Sequence, residues 1–172
     1  GKEKLVKNWQ KINGEKMKDI TKFFFEVGQL KRVKRSGWWL AGIKDPESVA
    51  EHSFRATIIG KILAELENAN SEKVVNMLMI HDIPEARIND LHKVGAKHID
   101  FKKAEGEAFN EQLERLPKKI ADEFLSLFNE MRAGKTKEAI IAKDADLLEC
   151  AIQAKEYLEQ NYKDAQNWID NV

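Results

Sequence analysis

Apolar residues along this chain recur at intervals of three and four, and no segment alternates with period two over a useful length, so the pattern predicts helices throughout. Ile20, Phe23, Phe24, Val27 and Leu30 mark a helix over about 19–33, with Asp19 at its opening turn. The period is lost over Lys34 to Lys44. It returns after Asp45-Pro46-Glu47-Ser48, where an acceptor, a proline and an acid suit a helix start. The inward stripe of that helix reads Val49, His52, Ala56, Ile59, Leu63 and Leu66. Ser71 can cap a third helix carrying Val74, Met77, Leu78 and His81, and Pro84 stops it.

Glu85 to Leu91 reads as one short helical turn and Val94 to Asp100 as a loop. Phe101 to Leu116 and Pro117 to Met131 read as two amphipathic helices, the second closed by Gly134. Thr136 caps a long last helix whose apolar positions are Ile140, Ile141, Leu147, Leu148, Ala151, Ile152 and Leu158. The expectation is an all-α, single-domain helical bundle.

Composition narrows the function. The 172 residues suit one domain. Gly1 in place of Met suggests a trimmed or partial chain, so residues 1–18 are left out of fold reasoning and the core is set at about 19–162. Basic and acidic residues balance at 29 each, so no overall field would gather a nucleic-acid polymer or an anionic membrane. The longest apolar runs fall far short of the roughly 18 residues a membrane span needs. A single cysteine, Cys150, allows no internal disulfide and no CxxC metal motif, which fits a reducing, cytoplasmic compartment.

The inward faces also carry chemistry. His52 alone would read as a satisfied core histidine. His81 with Asp82, also inward at a helix end, changes that reading, since imidazoles and carboxylates together suit a divalent cation. The last helix offers Asp144 and Asp146 as a further ligand, and an aspartate buried among Ile140, Ile141, Leu147 and Leu148 would be costly without a counter-charge. On a straight helix Asp144 sits near the middle of the apolar arc, and Asp146 on the other side with Ala142, Glu149 and Cys150.

Three pieces in order, Ala50-Glu51-His52-Ser53, His81-Asp82-Ile83-Pro84-Glu85-Ala86 and Lys143-Asp144-Ala145-Asp146-Leu147-Leu148, resemble the H…HD…D signature of the HD-domain metal phosphohydrolases. Arg35-Ser36-Gly37-Trp38 and Asn89-Asp90-Leu91 extend the likeness to the 5′-deoxynucleotidases, from about Leu30 to Tyr157. The resemblance implies one divalent metal ion (Co, Mn, Mg, Zn, Ni or Fe) held by His52, His81, Asp82 and Asp146, with Asp144 as the rival to Asp146. It implies Glu85 beside the attacking water, Arg35 on the phosphate, Trp38 against the sugar near C2′ and Asp90 beside the substrate. Trp39 competes with Trp38 for that wall. It also implies a nucleotide substrate and a homodimer.

Other features have plainer readings. Lys31, Arg32 and Lys34 form a solvated helix end, and His92 and His98 are surface residues. Cys150 is a small core hydrophobe rather than a nucleophile. The expected activity is phosphate removal from deoxyribonucleoside 5′-monophosphates. Two alternatives stand beside it: a phosphohydrolase for another phosphomonoester, and a nucleotide-binding regulatory module without turnover, which would have no need of Glu85.

Overall fold

The computed structural model describes residues 14–170. Among the described residues nine α-helices follow one another: α1 Gly14–Val27, α2 Val49–Leu66, α3 Ser71–Ile80, α4 Glu85–Ile88, α5 Lys93–Ala96, α6 Phe101–Leu113, α7 Lys118–Ala133, α8 Lys137–Glu159 and α9 Gln166–Ile169. Short 3₁₀ turns cover Gly28–Lys31, Ser36–Ala41 and Lys163–Ala165. Among the described residues no strand forms, apart from one isolated antiparallel bridge between Lys34 and Ser48. The chain is all-α, as its periodicity predicts.

α8 is the central helix, packed by α2, α3, α7 and α9. Small residues let its neighbours approach. Ala56 and Ala64 of α2 face Ala139, Ala142 and Ala145 of α8, and Val74, Met77 and Leu78 of α3 complete a water-free cluster. Burying a Met or Leu side chain fully contributes about 1.5–3 kcal/mol. Gly60 lets α2 and α3 approach closely, because a Cβ there would lie 2.2 Å from Leu78 Cδ1 and 3.1 Å from Val74 Cγ1, so that both would have to shift. A second cluster joins Phe23, Ile80, Ile83, Phe109, Leu113 and Phe128, with the Phe109 and Phe128 rings 4.4 Å apart. It anchors the turn that carries His81 and Asp82. A third cluster packs Trp38, Ala41 and Ile43 on Ala154, Tyr157 and Ala165.

Several boundaries differ from the sequence reading. α2 starts at a Ser48 cap and not at Asp45-Pro46: Ser48 Oγ accepts from the Glu51 N–H, and the Glu51 carboxylate accepts from the Ser48 N–H at 2.6 Å. That reciprocal box satisfies two otherwise unpaired donors, which outweighs the fixed φ of Pro46. Asn70, not Ser71, caps α3. Residues 14–18 belong to α1, while 1–13 lie outside the described residues. The stretch 34–44 contains the Ser36–Ala41 turn, and the expected loop at 94–100 is interrupted by α5.

The largest correction concerns α8. Ile140, Leu147, Leu148 and Ile152, expected inside, are exposed, and so is Leu66 of α2. The buried face consists of Ala139, Ile141, Ala142, Ala145, Glu149, Gln153, Ala154 and Tyr157. Large apolar residues held on the outside of a central helix leave room inside for polar groups.

Candidate active site

The site forms where α2, the end of α3 and the middle of α8 meet. The capping box fixes the start of α2, and His52 follows one turn in, with no exposed side-chain surface. α3 ends at Ile80, and the following turn closes with Glu85 N–H donating to Asp82 O at 3.0 Å. Gln112, fully buried, donates to Ile83 O at 3.1 Å and holds that turn from behind. α8 brings Asp146 across from the other side.

Four groups converge. Asp82 Oδ2 lies 3.1 Å from His81 Nε2 and 3.6 Å from His52 Nε2. Asp146 Oδ1 lies 3.0 Å from His52 Nε2 and 4.0 Å from His81 Nε2. Oxygen and nitrogen ligands about 2.0–2.2 Å from one cation are spaced by about 3–4 Å from each other. His52 Nε2, His81 Nε2, Asp82 Oδ2 and Glu85 Oε2 are all buried, and none makes a hydrogen bond of acceptable geometry. By distance His52 and Asp146 could pair, but their alignment does not. Buried polar atoms left in this way are costly unless something else satisfies them. A divalent cation fits this donor set.

Both imidazoles are turned the right way for it. His81 Nδ1 engages Leu78 O at 2.7 Å, and His52 Nδ1 engages the carboxylate of Glu149. With Nδ1 so engaged, each ring turns its Nε2 inward toward the carboxylates. A second group of potential ligands, Glu47, His52 and Glu149, lies on the Nδ1 side, but Glu149 is already bound there by His52 and by Arg55.

Without a cation, protons on the two histidines offset the carboxylates. Burial and Arg35 press the His52 pKa down, yet Asp146, Glu149 and Asp82 hold it up, at about 9. Burial opposes ionisation of Asp82 and Asp146, but the neighbouring histidines and Arg35 hold both below the usual carboxylate range. Glu85 moves the other way. Burial, Asp82 and Asp90 push its pKa well above that of a free carboxyl.

A cavity of about 460 Å³ opens beside this cluster, lined by Arg35, Trp38, Asp90, Leu91, Asp146 and Trp168 among others. Its volume suits a small ligand. Arg35 Nη1 stands 3.8 Å from Asp82 Oδ2 and 3.7 Å from Asp90 Oδ1. Asn89, at φ 63, turns the chain out of α4, and Asp90 accepts the Ser36 N–H at the start of the 3₁₀ turn. Asp90 therefore holds the Arg35–Ser36 corner. Trp38 is 2% exposed and Trp39 53%, and Trp38 is the one that lines the cavity. Its indole N–H donates to Glu47 Oε1 at 3.1 Å, and its ring packs edge-on against Tyr157 at 5.1 Å and beside Trp168 at 5.0 Å. Burial and Glu149 push Glu47 up to about 7.

Of the α8 aspartates, Asp146 reaches the cluster and Asp144 is exposed. His98 is exposed, but His92, expected at the surface, lines the cavity and caps α5 by accepting the Gly95 N–H at 3.1 Å. Cys150 lines the cavity as well, with Arg35 Nη2 3.2 Å from its sulfur; burial pushes its thiol up to about 12, which leaves it a poor nucleophile. Sequence reasoning overlooked Glu149, Arg55, Glu47 and Trp168. The three-residue steps from His52 to Arg55 and from Asp146 to Glu149 were the available signal, since each puts a polar pair on one helix face.

An all-α bundle presenting two histidines and two aspartates around one point defines a class. Residues 27–172 match the HD domain family, to which the chain belongs. Among curated proteins it is 31% identical over 156 residues to a 5′-deoxynucleotidase of Dictyostelium discoideum, covering 86% of this chain and 82% of that one. A 5′-deoxynucleotidase of Bos taurus is 29% identical over 164 residues, 94% of this chain and 80% of the relative. The chain thus stands close to the 5′-deoxynucleotidase family. A crystal structure from Pyrococcus horikoshii OT3 superposes with TM-score 0.78 at 31% identity, covering 88% of this chain and 86% of that one. Another, from Magnetospirillum magnetotacticum MS-1, is described as a "Predicted metal-dependent phosphohydrolase"; it gives TM-score 0.70 at 27% identity over 83% of this chain and 72% of that one.

Proposed function

We propose that this protein removes phosphate from deoxyribonucleoside 5′-monophosphates, with one divalent cation held by His52, His81, Asp82 and Asp146. The observation that carries the reading is the convergence of buried, unpaired Nε2 and carboxylate atoms beside the cavity. Asp82, Asp90 and Asp146 would repel a phosphate, and a divalent charge beside Arg35 offsets them. When bound, the cation supplies Lewis-acid polarisation of the phosphoryl group and a lowered pKa for water.

The chain's own groups do the rest. Arg35 donates to the phosphate oxygens, its direction set by Asp90. Glu85 orients the attacking water and accepts its proton; a carboxyl whose pKa is raised by burial is a better base than a free one. Trp38 forms the wall against the sugar near C2′. Glu85 has no use in a module that only binds, which favours the enzyme over a regulatory reading.

The test is phosphate release by purified protein across 5′-deoxyribo, 5′-ribo and 3′ monophosphates with several divalent metals. Metal-dependent release from the 5′-deoxy set is expected. Release from the 3′ set alone, or none with any metal, would overturn the reading.

A homodimer is the proposed assembly. It is supported by an exposed stripe, Phe54, Ile58, Ile62 and Leu66, running at four-residue steps along α2. Light scattering should give twice the chain mass; a monomer at micromolar concentration would refute it.

A further inference from the structure

Glu149 lies in the middle of α8 with its side chain wholly removed from solvent. One of its oxygens, Oε2, binds His52 Nδ1, and the other, Oε1, accepts from Arg55 Nε at 2.8 Å and lies 2.6 Å from Arg55 Nη2. A buried carboxylate in a helix interior is expensive, and this one touches neither the cavity nor the substrate wall. Both of its oxygens are engaged, one by an imidazole and the other by a guanidinium. Arg55 is itself restrained by Glu156 at 2.8 Å and by Gln153, which prevents the Glu149 carboxylate from rotating off the ring.

We propose that Glu149, clamped by the Arg55 fork, is a positioning residue that fixes His52 as the Nδ1–H tautomer and keeps its Nε2 lone pair on the metal. The inference rests on the metal reading above and not on the identity of the substrate. A neutral imidazole has one proton to place, and a fixed acceptor at Nδ1 decides where it goes. The acceptor's negative charge also makes Nε2 a stronger donor to a cation. His81 needs no such partner, because a backbone carbonyl performs the same task there.

The measurement is the affinity of the full chain for Co²⁺ alone, at fixed pH, by titration of the visible absorption band. Glu149→Gln keeps the side-chain shape and removes the charge, and should weaken Co²⁺ binding by about 10–100-fold while circular dichroism and the melting transition still report a folded protein. Arg55→Lys keeps a cation and loses the fork, and should give a smaller loss. Independently, ¹⁵N NMR of the Zn²⁺-loaded parent protein should show His52 protonated at Nδ1. A His52 proton on Nε2 overturns the proposal even if Glu149→Gln fails to fold. So does a folded Glu149→Gln protein whose Co²⁺ affinity stays within twofold of the parent. A parent that takes up no Co²⁺ overturns the metal reading and this proposal together, whereas parent binding with an indifferent variant overturns the positioning role alone.

Discussion

His52 Nε2 and Asp146 Oδ1 lie 3.0 Å apart across the α2–α8 interface, while Asp144, on the same helix, points to solvent. The two aspartates therefore make opposite predictions. His52→Ala or Asp146→Asn should abolish stoichiometric metal, measured by elemental analysis after gel filtration. Asp144→Asn should retain it, and retention in Asp146→Asn with loss in Asp144→Asn would reverse the assignment.

The confusion between those aspartates shows what periodicity can and cannot read. A helix stripe is recognised by its large apolar side chains, and α2, α3 and α7 were legible for that reason. α8 is packed by four other helices. Close approach of α2 selects Ala139, Ala142 and Ala145 on the inner face, and the site adds Glu149 and Gln153 to it. The large residues Ile140, Leu147 and Ile152 are then left on the outside, so the apparent arc was turned away from the true one. The motif spacing picked out His52, His81, Asp82 and Asp146, which the fold brings near one another, because a signature depends on order along the chain and not on which face is hydrophobic. Glu149 escaped because its three-residue step from Asp146 marks only a polar pair on one helix face and does not tell a buried acid from a solvated one until its partners His52 and Arg55 are seen beside it.

Glu85 is buried, and burial with Asp82 and Asp90 raises its pKa, which suits the proton-accepting role proposed for it. Glu85→Ala should leave metal content intact and lower kcat by about 10²-fold or more, the scale of losing a positioned acid or base. Near-normal turnover in a metal-loaded variant would remove Glu85 from the mechanism.

Stability of the metal-free protein should depend on pH in a direction set by the cluster. The His52 pKa is raised from 6.5 to about 9, so its ionised form stabilises the fold fully below 6.5, and that contribution is lost as pH rises through 9. Asp82 and Asp146 are shifted down from 3.8, and their contribution is present above that value and lost as pH falls below it. The chelated protein should therefore lose melting temperature from pH 6 to pH 9. Added divalent cation replaces the histidine protons, so the increase in Tm on adding metal should grow over the same range. Melting curves with EDTA and with Mn²⁺ at pH 6, 7.5 and 9 measure both trends, and an increase that shrinks toward pH 9 would contradict the ligand set.

Sugar selectivity should reside in Trp38. Its indole is fixed on one edge by Glu47 and on its faces and rim by Tyr157 and Trp168, so the wall has little freedom to retreat from a 2′-hydroxyl. A hydroxyl pressed against the indole loses water and finds no acceptor there, which disfavours the ribonucleotide. The ratio of kcat/KM for dAMP over AMP should exceed unity in the parent and fall by about tenfold in Trp38→Ala, with Trp38→Phe as the milder variant if the cavity collapses. Trp39→Ala, altering a side chain that faces away from the cavity, should leave the ratio unchanged. Arg35→Ala should weaken both substrates alike, since its proposed contact is with the phosphate they share. A parent ratio near one would refute the deoxy preference and leave the metal centre untouched, and a ratio that moves with Trp39 would transfer the wall to that residue.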